Sequence, residues 1–553
     1  MPDNSQTKQV PCPFGGWNMR DNEGLMPEED ALEMINAIAR DGHVEMRKGY
    51  VQLFDTGTQP VNTVFSFNGD FWVNNQTAHA EQLLYICRED NGQVCHVWQC
   101  NPSGTVTQVP DIPNYTILGD MWHTVQYKSN VIMSSLTGDD VPLIYDGAEL
   151  KKINITIQKN ELNTLDLYNV MNFCVYRKRL FFIERNTLKL WYMYTKGRIG
   201  GDVACLDLSD VATKGGYLAG LTEWSRAGAD TTQSRLVVIT SEGEVITYTG
   251  DDPSTVDDWR LESVNIVPDI IPHSEGRCVA SFREDVGILT SSGVFPLNSI
   301  VGSNTVDKSQ ALSDKIRGAF YGFDEASVYD IRPHKGWQCF YDIPHNWLIV
   351  NIPIRDGEYE QFVCVFRGSN TTWSRFTGIP AVNFCNLDGN VYFGGFKGGI
   401  YRFNYGGKDD TRSIRMFVQQ AYNLFGAAEL KKVKGITLLL ACAYQRNCRV
   451  RLWGDFDEQG WSDVRTSGMN GTGNICKWGL RYTNPPIAGS PWNTDYWGTR
   501  GILAEMNAQR LITDVDCKEA RNISMGIEME GNEELESDMA WFSTDYRIDF
   551  GSR

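Results

Sequence analysis

The sequence is short of positive charge. It carries 51 Lys and Arg against 69 Asp and Glu, a formal net charge of −18. A chain this acidic is poorly suited to grip nucleic acid by its phosphates, because counterion release needs Lys and Arg at the contact. The same deficit suits a wall past which nucleic acid slides without adhering, and it also serves plain solubility. Histidine is scarce: there are seven, none paired at helical spacing, so an HExxH metal site is excluded. Long apolar runs are missing as well. The longest, residues 436–444, is far too short for a membrane-spanning helix. The opening MPDNSQTKQV has no apolar signal core. These absences predict a soluble chain that does not insert into a membrane. The 14 cysteines form no dense framework of paired spacings. Cys87, Cys174, Cys205, Cys278, Cys339, Cys364, Cys385 and Cys442 lie inside apolar runs, the setting of buried free thiols, which predicts a reducing site of synthesis.

What is present is aromatic and β-branched. Phe, Trp and Tyr make up 12% of the residues, an enrichment that favours strands. The stretch RLVVITSEGEVITYT (235–249) has an apolar run, a Ser241-Glu242-Gly243 turn and an apolar return, the signature of a hairpin. The pattern recurs at 278–297 and 385–403, and more loosely at 174–194 and in FSFNGDFWV at 65–73. Hairpins repeating every few tens of residues predict a β-propeller over residues 51–405, with six to eight blades at about 45–50 residues each. Two unrelated β-sandwiches would account for the same pattern. Acidic turn tips are expected at Asp139-Asp140 and Asp251-Asp252, and Trp191, Trp224, Trp259 and Trp373 are placed to close gaps between blades.

The ends read differently. Residues 1–50 are expected to form an arm with one helix at 27–42, PEEDALEMINAIARDG. Pro27 suits a first turn, Glu28, Glu29 and Asp30 complement the dipole, and Gly42 can cap the end. Leu32, Ile35 and Ala39 would form its apolar face. After a linker at Gly406-Gly407-Lys408-Asp409-Asp410, residues 406–553 predict a second, sandwich-like β domain. Its strands are expected within 414–444 and 448–456, with closing strands at 523–529 and 539–550 and a long surface loop at 468–497. The fold class is therefore mostly β: a β-propeller, a second β-sandwich-like domain and a short N-terminal helix.

Catalytic chemistry is not visible. GMNGTG (468–473) lacks the Lys and the following helix of a phosphate loop. No nucleophile elbow occurs. Cys95-His96 with Cys87, Cys100 and His123 has the wrong spacing for a zinc finger, and strand-face thiols are the better reading. Asp251, Asp252, Asp257 and Asp258 could make a calcium loop, but a solvated turn is the simpler assignment. The sequon Asn75-Gln76-Thr77 has no secretory context. No catalytic, cofactor-binding or metal-binding residue is assigned, and no cofactor is expected.

Two segments together carry a resemblance. GGWNMRDNEGLMPEEDALEMINAIARDGHVEMRKGY supplies Gly15, Gly16, Asn18, Pro27, Asn36, Gly42, Arg47, Gly49 and Tyr50. AYNLFGAAELKKVKGITLLL supplies Asn423, Phe425 and Gly426, and MAWFSTDYRIDFG follows near the end. In this order they resemble the tail nozzle proteins of short-tailed bacteriophages, the tail tubular protein B type and related packaged-DNA stabilisation proteins. The resemblance implies a non-enzymatic virion protein, assembled in the host cytoplasm as a ring of six copies. It would extend the DNA channel below an adaptor ring, meet tail fibre proteins and the host cell surface, retain packaged DNA, and open on contact. Duplex DNA would pass through the lumen without specific binding; which residues line the channel or gate is unknown. The alternative from the residues is a glycan-binding propeller for host adsorption, with Trp492 and Trp497 as candidate exposed rings. A glycoside-cleaving propeller rests only on the abundance of Asp and Glu.

Overall fold

The computed structural model describes residues 5–73, 76–90, 92–100, 105–159, 161–227, 232–255, 257–268, 270, 277–301, 306–323, 334–442, 446–457, 462–469, 508–514, 519–531 and 539–550. It is nearly all β. The chain divides into two compact units, one of residues 52–361 with 379–403, the other of residues 1–51, 362–378 and 404–553.

The first unit is a succession of small antiparallel sheets. The first sheet holds Thr63–Val73, Gln76–Arg88, Cys95–Cys100 and Val106–Gln108. The second holds Trp122–Tyr127, Asn130–Ser135, Leu143–Tyr145 and Leu150–Lys152. The third runs through Val170–Tyr176, Arg179–Glu184, Lys189–Met193 and Gly201–Asp207, and Ile155–Ile157 adds a parallel strand at its edge. The fourth holds Leu218–Ala227, Thr232–Thr240, Glu244–Thr249 and Arg260–Ile266. The fifth has Val279–Phe282, Asp285–Thr290 and Gly293–Pro296. The sixth starts with Gln338–Asp342 and Trp347–Arg355. The seventh, Ala381–Leu387, Asn390–Gly395 and Ile400–Phe403, is completed by Tyr50–Phe54 from ahead of the first.

The opening strands of these sheets neighbour one another in sequence order, and that of the seventh lies against that of the first. Among the described residues this is a closed ring of seven blades, a β-propeller. Radial repetition of the blades leaves only short sheet edges. Apolar clusters fill the gaps. Phe65, Phe67, Trp122 and Met133 join blades one and two; Tyr127, Phe173, Phe182 and Trp191 join two and three; Phe181, Ile183, Leu236 and Val238 join three and four. Phe54, Val64, Tyr85, Cys385 and Ile400 seal the seventh blade onto the first. Both faces of a blade are covered, so Leu236, Val237, Val238 and Ile239 are all buried and their strand reads as one continuous apolar run.

Turn chemistry sets the meander. Asp388 (φ 46°) and Gly389 (φ 65°) both take the left-handed conformation of a tight hairpin turn. Arg177 (φ 45°) and Lys178 (φ 66°) do the same without a glycine. The segment 65–73 is not a hairpin: Asn68-Gly69 lies inside the single strand Thr63–Val73. Gly69 is needed there for close approach, since a Cβ would sit 2.9 Å from the Ser129 Cα.

The described residues of the second unit form two sheets. One orders Ala508–Asp514, Lys431–Cys442, Met539–Phe550, His43–Met46 and Ala37–Arg40, with Gln6–Pro11 also on Met539–Phe550. The other orders Ser462–Met469, Arg446–Gly454, Ile523–Gly531, Arg412–Gln420 and Asp30–Ile35. Asn370–Thr377 and Gly16–Trp17 pair with Asp30–Ile35. The Tyr546 hydroxyl donates to Gln420 Oε1 (2.8 Å), tying one sheet to the other.

The expected helix at 27–42 is absent. Its residues form the strands Asp30–Ile35 and Ala37–Arg40, and Gly42 (φ +76°) turns the second into the hairpin partner His43–Met46. Asn36 lies between them at φ +54°, a conformation no α-helix contains. Long-range strand pairing overrides a helix propensity worth only tenths of a kcal/mol per residue. Leu32 and Ile35 are half-buried instead of lining a helical face, while Ala39 is buried. Residues 1–50 are thus no separate arm, and residues 362–378, expected in the propeller, fall in this unit, Trp373 with them. The presumed linker is a short hairpin, Lys408–Asp409 against Arg412 and Ser413, with Asp409 buried. The expected strands at the C-terminus are observed. Residues 75, 470–473, 492 and 497 lie outside the described residues. Among those described, no helix is long and apolar enough to cross a membrane.

Candidate functional site

The residues that carry the resemblance converge in the second unit. Arg47, fully buried, lies at its centre. Its guanidinium has five N–H donors, and all five are used. Nη1 and Nη2 bind Asp409 Oδ1 and Oδ2 at 2.7 and 2.6 Å. Nε donates to Asn36 Oδ1 (2.8 Å), Nη1 to the Lys48 carbonyl (2.9 Å) and Nη2 to the Thr377 carbonyl (2.8 Å). Asn36 is saturated too. Its Nδ2 donates to Thr377 Oγ1 (3.1 Å) and the Arg415 carbonyl (2.7 Å), and its Oδ1 also accepts from the Thr377 amide (2.9 Å). The knot ties residue 36 to residues 377 and 415, and residue 47 to residue 409.

Its neighbours in the motif have equally structural tasks. The Gly49 amide donates to the Gly406 carbonyl (2.9 Å), and a Cβ on Gly49 would lie 1.6 Å from the Lys408 carbonyl oxygen. The Tyr50 hydroxyl donates to the Gly378 carbonyl (3.3 Å). Asn18 Nδ2 donates to the buried Asp30 carboxylate (2.7 Å), and a Cβ on Gly15 would meet that carboxylate at 2.1 Å. Asn423 Oδ1 accepts from the Phe425 amide, which holds Phe425 at φ +51° with its ring 4.9 Å from that of Tyr546. Sequence reasoning named Asn36 and Arg47 but missed Asp409 and Thr377. No local signal marks them, because the Arg47–Asp409 partners are 362 positions apart.

The propeller axis is the second place to look, since the opening strands surround it. Arg277, just ahead of the fifth blade, donates through Nη2 to the carbonyls of Asn62 (2.9 Å) and Trp122 (3.2 Å). Those residues stand at the starts of blades one and two, opposite the fifth in a ring of seven. Arg277 therefore reaches across the ring from the fifth blade to the first and second. Around it, Asn62 donates to Asp120 (2.9 Å), and Asn383 Oδ1 accepts from the Val64 amide (2.7 Å). His123 has a buried Nδ1 without a hydrogen-bond partner. Burial, and then the charge of Arg277, lower its pKa to about 4.

This arrangement fixes a pH dependence. An unfolded imidazole takes its proton near 6.5, the folded one only near 4. Stability from burying the neutral ring is complete above about 6.5 and is lost as pH falls from there to 4, amounting to about 3 kcal/mol. Denaturation at pH 7 and pH 4.5 should show that loss in the wild type and a smaller one in His123→Phe. Equal losses in both would remove His123 as the source.

The other candidates do not assemble a site. Cys87 and Cys100 pack toward the seventh blade and Cys95 toward the second, so the proposed zinc set is split. Burial pushes the Cys95 and Cys100 thiols up to about 12, away from the thiolate a metal needs. His96 is held by Glu89 (2.9 Å) and Asp111 (3.0 Å). Asp251 pairs with Lys196, Asp252 lies 3.3 Å from Arg179, and Asp258 Oδ2 accepts the amides of Asp251 and Asp252 at 2.7 and 2.8 Å: a braced, exposed turn. Asp140 is no solvated tip. It is buried and accepts from the Tyr115 hydroxyl (2.8 Å) and the Gly119 amide (2.6 Å). Among the described residues no group of three His, Cys, Asp or Glu is placed to hold a metal ion.

No family model matches the chain, and no curated protein matches it. Among solved structures it is similar to one described as BBS1N in complex with ARL6DN, soaked with lead, at 14% identity, over 47% of this chain and 72% of that one. The TM-score is 0.27, too low to carry any argument about this chain.

Proposed function

We propose that the chain is a structural virion protein, a tail nozzle of a short-tailed phage that extends the DNA channel, retains packaged DNA and opens on host contact. It acts without catalysis. The observation that supports this most is the Arg47–Asn36–Asp409 knot. The positions that resemble the nozzle family at the two ends of the chain, including Arg47, Gly49, Asn423 and Phe425, lie in one unit, and each has a defined structural task there. In this reading the DNA path is a lumen between several copies and not the propeller axis, a choice supported by Arg277, which bridges the fifth blade to the first and second. Copies related by cyclic symmetry would enclose that lumen, and the net charge of −18 would keep duplex DNA from adhering to its wall.

The test is a phage lacking this chain. Its particles are expected to lose packaged DNA or fail to infect, with images of the intact tail showing a six-fold ring that contains the chain. Particles that keep their DNA and infect normally without it would overturn the reading.

A further inference from the structure

The outer face of one sheet in the second unit carries a groove of about 290 Å³. Strand alternation builds it. Arg415 and Phe417 point outward from Arg412–Gln420, and Arg449 and Arg451 from Arg446–Gly454. Between them runs Ile523–Gly531, where Gly526 is the floor: a Cβ there would be 2.7 Å from the Trp453 ring and 3.1 Å from that of Phe417. The two rings meet edge to face, 6.2 Å apart. Ile35 adds apolar wall. Three guanidinium groups line the groove against the Glu528 carboxylate, which reaches Arg449 at 3.2 Å and Arg415 at 3.8 Å, and Glu530 at its rim lies 3.4 Å from Arg415, so three positive charges meet two negative ones. In a chain of net charge −18 this is a local excess of positive charge beside apolar surface.

The same unit presents the complementary shape. Residues 22–29 form an exposed loop with Glu23, Glu28 and Glu29 in solvent. A turn with Asn22 at its start, accepting from the Gly24 and Leu25 amides at 3.0 and 2.9 Å, pushes Leu25 outward. Leu25 is 85% exposed while its neighbour Met26 is buried. None of the loop's residues lines the groove of its own chain.

We propose that the loop of residues 22–29 from one copy seats Leu25 in the groove of the next, with its glutamates facing Arg415, Arg449 and Arg451. This rests on the reading that copies of the chain assemble into a ring. The two surfaces differ, so the contact is head-to-tail, which forms a ring where its rotation closes and never a two-fold dimer. Apolar contact holds the leucine, and charge sets the partner and the register.

The experiment is the mass of the full chain in solution over a concentration series, by light scattering and sedimentation, at low and high salt. Wild type is expected to associate, and less so as salt screens the pair. Arg415→Glu with Arg451→Glu, and separately Glu28→Arg with Glu29→Arg, should each weaken association at least tenfold in a chain that circular dichroism shows to be folded. Mixing the two charge-reversed chains should restore it, since each then meets an opposite charge. Leu25→Ser should weaken association at every salt concentration. A wild type that forms rings while both reversals leave its mass unchanged would overturn this contact and leave the nozzle reading in place. A wild type that stays monomeric, alone and with purified tails, would overturn both. Dissolution of the assembly by nuclease would replace the second copy with nucleic acid as the occupant, and overturn the contact too.

Discussion

Asp409→Ala will lower the stability of the unit formed by residues 1–51, 362–378 and 404–553 by about 3–5 kcal/mol, the range for removing one partner of a buried ion pair. The reason is the charge left behind. Arg47 is fully buried, and Asp409 neutralises it through two of its five hydrogen bonds. The other three acceptors, Asn36 Oδ1 and the carbonyls of Lys48 and Thr377, are neutral groups that cannot carry a full positive charge out of water. Asp409→Asn should cost less than Asp409→Ala but still most of that range, because shape is kept and charge is not. Removing both charges, with Arg47→Met and Asp409→Leu together, should cost less than either single loss. The readout is hydrogen exchange of peptides covering residues 30–49 and 370–378, which reports this unit and not the propeller. Protection unchanged in Asp409→Ala would show that the pair holds nothing together.

Gly49→Ala is expected to cost at least about 4 kcal/mol, among the largest single-residue effects. The added methyl carbon would stand 1.6 Å from the Lys408 carbonyl oxygen. A flexible side chain could swing away, but a backbone carbonyl held by its own hairpin cannot. The flanking bonds, Gly49 amide to Gly406 carbonyl and Tyr405 amide to Gly49 carbonyl at 2.9 and 2.8 Å, fix the two segments from both sides. Gly42→Ala is the matched control. Nothing lies within 4 Å of a Cβ there, and only its φ of +76° resists the change, so about 1 kcal/mol is expected. Soluble yield and melting temperature of the two variants separate the cases. Similar values for both would mean that the close approach at Gly49 relaxes cheaply.

The contrast between these two glycines shows where the sequence is legible. Most of the propeller could be read because its turns declare themselves: Ser241-Glu242-Gly243 and Asp388-Gly389 stand between apolar runs, and the observed strands break there. The Arg177-Lys178 turn carries no such mark, and only the apolar runs on either side betray it. Asn68-Gly69 gives the opposite error, a turn-like dipeptide serving as a site of close backbone approach within a strand. At residues 27–42 charge placement and apolar spacing favour a helix, while Asp41-Gly42, which suits a helix cap, is a hairpin turn between Ala37–Arg40 and His43–Met46. What decides that segment is Asn36, whose left-handed backbone is stabilised by partners at residues 375, 377 and 415. No window of a dozen residues contains those partners. The same distance hid Asp409, which looked like part of a linker.

The seventh blade also sets an order of events during synthesis. Its outer strand, Tyr50–Phe54, leaves the ribosome before any of the propeller, and its partner Ile400–Phe403 follows ~350 residues later. At about 5–20 residues per second the early strand waits roughly 20–70 s for its mate. Blades one to six can gather behind it as they emerge, each roofed by the next, yet the first blade keeps an uncovered flank, Val64, Leu83 and Tyr85, throughout that interval. The nascent chain is therefore most vulnerable to sticking and to proteolysis in its earliest-made blade, and a pause or truncation anywhere before residue 400 leaves an open arc in place of a ring.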